Sequence, residues 1–378
     1  MQFSPEQREF VTAVSDYCRR ELATLAQRDA LTEGGTLANS PTVLSDMASH
    51  GWLGVSLPEQ FGGGGAGFVD ECIFLEESAR GLAPITAYST GLTAAQTYLR
   101  WGTDEQKKTV VTNLTAGRLE AIALSEPGAG SDLAGLRVTA RREGDRYLIN
   151  GQKTWISAAH VVEHILVLAR EESGGTKHQG MTLLMVPTSA PGLTIRGIET
   201  MEPHTCNDVF FTDVEVPTSA VVGTPCNAWK QLMRGLAIER MIIAAMSIGA
   251  ARRALDDVVA YAKDREQFGQ PISSFQALRH RMADLATDIE MARVFVYDVA
   301  AKIDAGLEEA LSIESSMAKM RCTEIAKNTA LEAMQMMGGY GYAREYGMEG
   351  QVRRALAPPI YGGTNEIQRE IIAKNMGL

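Results

Sequence analysis

Residues 138–151 read Val138-Thr139-Ala140-Arg141-Arg142-Glu143-Gly144-Asp145-Arg146-Tyr147-Leu148-Ile149-Asn150-Gly151. β-branched and apolar residues flank Glu143-Gly144-Asp145, a turn signal, and Asn150-Gly151 reads as a second turn. A period of two is informative here because the chain on both sides has the helical period. Short β-rich runs recur at His164 to Ala169, Met181 to Val186, Leu193-Thr194-Ile195 and Val209 to Val216. They predict an antiparallel all-β domain over residues 118–225, of an ordinary domain size.

Outward from that block the pattern is helical. Residues 1–117 carry two helix starts, Ser4-Pro5-Glu6-Gln7 and Thr103-Asp104-Glu105-Gln106, each with an N-cap and a Gln able to close a capping box. The glycine cluster Gly62 to Gly67 lacks a strand-then-helix setting and is expected to be a mobile loop. Residues 226–378 hold long helical stretches at Trp229 to Lys263, Ser273 to Ala305 and Leu307 to Met337, completed by a shorter C-terminal set into a four-helix-like bundle. The fold class expected is therefore α+β, in the order helices, β-domain, bundle.

Composition narrows the function. The 378 residues include 36 Lys plus Arg against 46 Asp plus Glu, a formal charge of -10, and no basic block. That is the wrong sign for a protein that grips nucleic-acid backbones. The five cysteines are scattered without a C-x-x-C pair, which fits a reducing compartment rather than a disulfide or zinc framework. No secretory signal or bilayer-length apolar run is visible. The expected setting is cytoplasmic, without membrane or nucleic-acid partners.

Familiar catalytic patterns are missing. His160 and His164 sit four apart, a spacing that zinc helices use, but they fall at a strand start and no third ligand follows; no metal is expected. No G-x-S-x-G nucleophile motif is present. Gly128-Ala129-Gly130-Ser131-Asp132-Leu133 approaches a dinucleotide fingerprint but lacks its last glycine and the βαβ context. By itself the loop Ser125 to Asp132 reads as a turn.

Five ordered blocks change that reading. Ala123-Leu124-Ser125-Glu126-Pro127-Gly128-Ala129-Gly130-Ser131-Asp132 resembles the first signature of the acyl-CoA dehydrogenase family, and Asn150 to Ser157 resembles its second flavin-binding stretch. Arg265 to Ile272 with Phe275-Gln276 resembles the adenosine-diphosphate segment. Gln335 to Tyr342 and Ile360 to Arg369 match the two C-terminal motifs. The resemblance implies FAD, with Leu124, Ser125, Gly130 and Ser131 on the first loop and Trp155, Ile156 and Ser157 on the second. Ser125 would bond the pyrimidine side, Trp155 stack near the ring, and the Ser157 hydroxyl face flavin N5. A donor there stabilises the charge that arrives with a hydride.

Arg265, Gln267, Phe268 and Gln276 would hold the diphosphate and adenine end, completed by a neighbouring subunit's Gln335, Gly338 and Gly339. Hence a homotetramer, a dimer of dimers, is implied. Thr364 and Glu366 match further FAD contacts, while Ser131, Arg240, Tyr361, Gly362 and Gly363 match positions at the acyl-CoA.

One position departs from the common pattern. Many members read Y-E-G-T where this chain reads Tyr361-Gly362-Gly363-Thr364, so the usual catalytic glutamate is replaced by Gly362. In isovaleryl- and long-chain-like members the base moves to a bundle helix, and the matching residue is Glu239. Helical spacing agrees: Trp229, Leu232, Leu236, Ile243 and Ala250 form an apolar stripe that contains Glu239. Desolvation there should raise its pKa toward working pH, while Arg240 opposes the rise; a structural Glu–Arg pair is the competing reading.

The implied reaction is α,β-dehydrogenation of an acyl-CoA, with electrons passed to an electron-transfer flavoprotein. Two alternatives are a dehydrogenase of a carrier-protein-bound or specialised acyl group, and a non-catalytic FAD-holding subunit. Gly362 is expected to leave extra room beside the reacting carbons.

Overall fold

The computed structural model describes residues 3–171, 177–307 and 310–378. Six helices come first: α1 Pro5–Glu21, α2 Leu25–Leu31, α3 Pro41–Ser49, α4 Phe68–Arg80, α5 Tyr88–Trp101 and α6 Asp104–Thr115. Eight strands follow: β1 Ala121–Ala123, β2 Thr139–Glu143, β3 Arg146–Ser157, β4 His164–Glu171, β5 Met181–Pro187, β6 Leu193–Gly197, β7 Cys206–Pro217 and β8 Val221–Val222. After α7 Ala228–Asp264 comes a two-residue ribbon, β9 Glu266–Gln267 and β10 Gln270–Pro271. The chain closes with α8 Gln276–Asp304, α9 Ser312–Met337, α10 Gly339–Tyr342, α11 Met348–Leu356 and α12 Asn365–Asn375. No described helix is long and apolar enough to cross a membrane.

Both expected capping boxes form: Ser4 with Gln7 starts α1, and Thr103 with Gln106 starts α6. The chain divides into two compact units. One contains residues 1–34, 67–83 and 237–378; the other contains 35–66 and 84–236. The N-terminal helices are thus shared between them.

In the second unit the sheet runs β6-β7-β3-β2-β4-β5-β8, with β1 also on β4. The expected β-runs all become strands, but the sheet is mixed rather than antiparallel. β4 enters on the side of β2 away from β3 and so runs parallel to β2, and β1 pairs parallel with β4. Ile165 to Ala169 of β4 are fully buried, the signature of a strand covered on both faces. Glu143-Gly144-Asp145 turns β2 into β3 as expected. Asn150-Gly151 does not turn the chain. It forms a bulge inside β3, with Gly151 at φ +131° and a Cβ there meeting Val138.

The glycine cluster is packed rather than free. Gly63, Gly64, Gly65 and Ala66 donate backbone bonds to Pro58, Gly54, Leu57 and Val55, and a Cβ on Gly63 would collide with the Leu57 carbonyl. Glycine is needed there for close approach of two backbones.

In the first unit, Ala254, Val258, Met282, Leu285, Ala333 and Met336 build a common core between α7, α8 and α9. The expected helix from Leu307 begins instead at Ser312; positions 308 and 309 lie outside the described residues. α8 begins at Gln276 because Ile272–Ser274 form a short 3-10 turn after Pro271.

Candidate active site

The site residues fall on both units, and each half has its own scaffold. In the β-domain, Glu126 and Ala129 exchange backbone bonds of 3.0 Å, closing a tight turn at the head of the Ser125 to Asp132 loop. The turn is fixed from behind. The buried Glu126 carboxylate accepts from the Arg137 and Val138 N–H groups at 2.6 and 2.9 Å and from Lys153 Nζ at 2.8 Å. Lys153 also donates to the Leu124 carbonyl at 2.8 Å, and Thr154 N–H to that of Ser125 at 3.0 Å. Burial pulls the Lys153 pKa down to about 8, against the pull of Glu126. Gly128 and Gly130 face open space.

A second bulge, between Lys153 and Ile156, turns Trp155 outward. Trp155 sits at φ +62° and is 59% exposed, an uncommon backbone state for a bulky residue and a frequent mark of functional loops. Ile156 is buried, with its carbonyl accepting from Asn207 at 2.9 Å. Ser157 pairs with Cys206 across β3 and β7. His160 stacks on His204 at 4.1 Å, with Asn207 bonded to both rings. His164 instead approaches Glu120 at 3.8 Å. Among the described residues no group of His, Cys, Asp or Glu could hold a metal.

In the bundle, Glu239 lies beside Gly362. A Cβ built on Gly362 would lie 3.7 Å from Glu239 Oε1. The carboxylate therefore reaches the place where a side chain at 362 would begin. The Glu239 carboxylate has no hydrogen bond or ion pair among the described residues. Arg240 is buried and reaches Ser315 at 3.4 Å instead. Glu239 is partly open to solvent and is not hydrogen-bonded to Arg240 as a structural pair would be. Burial pushes its pKa above the ordinary 4.5, with Arg240 and then Lys319 opposing.

The same construction corrects one expectation. The space left by Gly362 is not empty: a Cβ there would collide with Ile243 Cδ1. Ile243 lies one helical turn after Glu239 and fills the vacancy.

Gly362 and Gly363 adopt φ +62° and +76°. Their carbonyls are tied inward, Gly362 to Gln368 Nε2 at 3.1 Å, and Gly363 to Gln368 Nε2 at 3.0 Å and Lys319 Nζ at 2.8 Å. Lys319 also bonds Asn365 at 3.1 Å. It is fully buried, and burial lowers its pKa to about 8. Neither Lys319 nor Gln368 was expected from sequence. Thr364 caps α12 through the Ile367 N–H; Glu366 is exposed in the first turn and 3.6 Å from Arg369. Tyr361 is half exposed.

A groove of about 660 Å³ opens elsewhere on the bundle, lined by Arg265, Gln267, Phe268, Gly338, Gly339 and Tyr340 among others. Phe268 and Gly269 both take positive φ at the tip of the β9–β10 hairpin, leaving Phe268 93% exposed. Arg265 lies over the Tyr340 ring at 5.4 Å. The two motifs expected on different subunits already share this groove within one chain. Gln276 and Gln335 are exposed but do not line it.

Comparison with known proteins gives concordant matches. The acyl-CoA dehydrogenase N-terminal, middle and C-terminal domain families match residues 4–118, 121–214 and 228–377. The chain is 35% identical over 390 residues to "Probable acyl-CoA dehydrogenase YngJ" of Bacillus subtilis (strain 168), covering 99% of each. It is 34% identical over 380 residues to "Caffeyl-CoA reductase-Etf complex subunit CarC" of Acetobacterium woodii, covering 99% of this chain and 98% of that one. The crystal structure of an acyl-CoA dehydrogenase from Geobacillus kaustophilus superposes with a TM-score of 0.92 at 32% identity, covering 100% and 99% of the two chains.

Proposed function

This chain belongs to the acyl-CoA dehydrogenase family, whose members are FAD-dependent oxidoreductases acting on CH–CH groups, and we propose that it desaturates an acyl-CoA with Glu239 as base. The observation that carries the assignment is the approach of Glu239 Oε1 to within 3.7 Å of a Cβ built on Gly362.

The chain's donor set fits FAD. Arg265 supplies a cation and Phe268 an exposed ring beside glycines with no Cβ in the way, which suits a diphosphate and an adenine. The Ser125 to Asp132 loop and the outward Trp155 supply small polar groups and an aromatic plane for a flat ring. When bound, FAD supplies the acceptor for the hydride that leaves the substrate β-carbon.

The remaining roles belong to side chains and backbone of this chain. Glu239 takes the α-proton on its carboxylate, and burial makes that carboxylate more basic than an exposed one. The α-carbon becomes enolate-like, so charge builds on the thioester oxygen. The Gly362 N–H, which has no protein acceptor among the described residues, donates to that oxygen. Ser131, Arg240, Tyr361 and Gly363 border the acyl-CoA, and Ser157, Thr364 and Glu366 the cofactor. Electrons leave to an electron-transfer flavoprotein, a partner supported by the relative named as a subunit of a reductase–Etf complex. The assembly is a homotetramer, with the 265–268 and 338–339 segments presented together by one subunit.

Glu239→Gln tests the assignment. It should keep yellow FAD and bind acyl-CoA while flavin bleaching slows about 10²–10⁴-fold, the usual share of a general base. Near-normal bleaching would remove Glu239 from the mechanism. Because the base works deprotonated and its pKa is raised, the bleaching rate should fall with pH through a midpoint above 4.5. Straight, branched and aromatic acyl-CoAs compared in the same assay would assign the chain class.

A further inference from the structure

The Gly362–Gly363 turn is held by groups that the proposed reaction does not use. A trans peptide points its C=O and N–H in opposite directions. The Gly362 carbonyl is bound by Gln368 and the Gly363 carbonyl by both Gln368 and Lys319. The N–H groups of Gly363 and Thr364 therefore point away from these two side chains. Neither of them, nor the Gly362 N–H, finds a protein acceptor among the described residues. Three successive amides are thus left without a protein acceptor among the described residues, the last two on the side of the turn opposite their fixed carbonyls.

Lys319 is an unusual choice for the anchoring. It lies in the middle of α9 with no exposed surface, and its two hydrogen-bond partners, Gly363 O and Asn365 Oδ1, are both uncharged. Asn365 is itself held, by the Met320 carbonyl and Thr323. A neutral donor could satisfy the same two oxygens without the desolvation of an ammonium. The charges that act on Lys319 are Glu239 and Arg240 from α7 and Glu366 from α12. An ammonium on a peptide carbonyl polarises that peptide and strengthens the N–H at its other end.

We propose that Lys319 and Gln368 are positioning residues that fix the 362–364 turn, and with it the Gly362 N–H, and that polarise the Gly363 and Thr364 N–H groups toward negative charge developing on a bound thioester. The inference rests on the reading of Gly362 as the oxyanion site. Lys319 acts through the peptide, not by touching substrate, so its effect falls on ligands that carry enolate charge and spares neutral ones.

Acetoacetyl-CoA tests this, because its α-proton is acidic enough to give an enolate without a protein base. The enolate beside oxidised flavin is read by its long-wavelength charge-transfer absorbance, and a 2-enoyl-CoA serves as the neutral control. In FAD-loaded Lys319→Met, the enolate should bind at least 10-fold more weakly, with the 2-enoyl-CoA changed less than 3-fold. Lys319→Arg should recover part of the difference, and Gln368→Leu should give a smaller loss of the same kind.

Wild-type protein gives the same test without a variant. After correction for the ligand's own ionisation, enolate affinity should drop as pH rises through about 8, where Lys319 loses its proton. Equal losses for enolate and neutral ligand in the variants, or a flat wild-type profile between pH 7 and 9.5, would overturn the proposal. Glu239→Gln separates the two readings. It should retain enolate binding, so turnover by that variant sinks the base assignment while leaving the role of Lys319 standing.

Discussion

Two turns of this molecule are each tied down from behind by a fully buried lysine. Lys153 holds the Leu124 carbonyl beneath the Ser125 to Asp132 loop; Lys319 holds the Gly363 carbonyl beneath the 362–364 turn. Burial brings both to about 8. What differs is the answer to their charge. Lys153 has the Glu126 carboxylate in contact at 2.8 Å, so the pair is neutral to its surroundings. Lys319 touches only neutral oxygens, and its field extends to Glu239 and to the one peptide it binds. The first arrangement is a staple, and the second leaves unneutralised charge beside the 362–364 turn.

Breaking the staple should have the larger effect on stability. Lys153→Met strands the buried Glu126, and removal of one member of a buried pair typically destabilises by about 3–5 kcal/mol. Lys319→Met removes one donor from each of two neutral acceptors that keep another, Gln368 on the Gly363 carbonyl and Thr323 on Asn365 Oδ1, a loss of about 1 kcal/mol. Chemical denaturation followed by tryptophan fluorescence should rank the two variants in that order. Adding Glu126→Gln to Lys153→Met should restore part of the loss, because no charge is then left unpaired. A larger cost for Lys319→Met would mean that its charge is fully compensated by Glu239, which would erase the contrast.

A second test asks whether the bundle turn tolerates the base in its commoner position. A glutamate at 362 would have to adopt φ +62°, which typically costs about 1–3 kcal/mol for a non-glycine residue, and its Cβ would collide with Ile243 Cδ1. Glu239→Gly with Gly362→Glu should therefore be inactive in flavin bleaching. Adding Ile243→Ala should recover measurable activity, since it vacates the space at Gly362. Full activity of the two-site exchange would show that Ile243 yields easily and does not fix the base on α7.

What the sequence revealed follows from how local each signal is. The β-runs were legible because alternation is set within a few residues, and the capping boxes of α1 and α6 because they span four. The burial of Glu239 follows from the apolar stripe of its own helix, whereas its approach to Gly362 is a contact between distant segments. The mixed sheet was not legible, since it depends on β4 pairing with β2 rather than with β3, a choice made by tertiary packing. Asn150-Gly151 has the composition of a turn, yet pairing with β7 on both sides of it converts it into a bulge. Lys319 was missed because its partners lie more than forty residues on, in another helix and its preceding turn. A signal existed: Ser315, Ser316, Cys322 and Thr323, at helical spacing around it, are all buried, so a lysine on that face has to find acceptors inside the protein.

The smallest expected effect concerns the open side of the β-domain loop. A Cβ on Gly130 meets nothing within 4 Å of the protein, and its φ is not positive. Gly130→Ala should therefore change the stability of the FAD-free protein by less than about 0.5 kcal/mol, the usual range for a surface substitution. If FAD lies against this backbone, the added methyl group stands between them, and cofactor retention on gel filtration should weaken several-fold. Glycine there would then serve the ligand rather than the fold. Unchanged retention would place the flavin elsewhere, and the Lys153–Glu126 staple would be securing a turn that the cofactor does not touch.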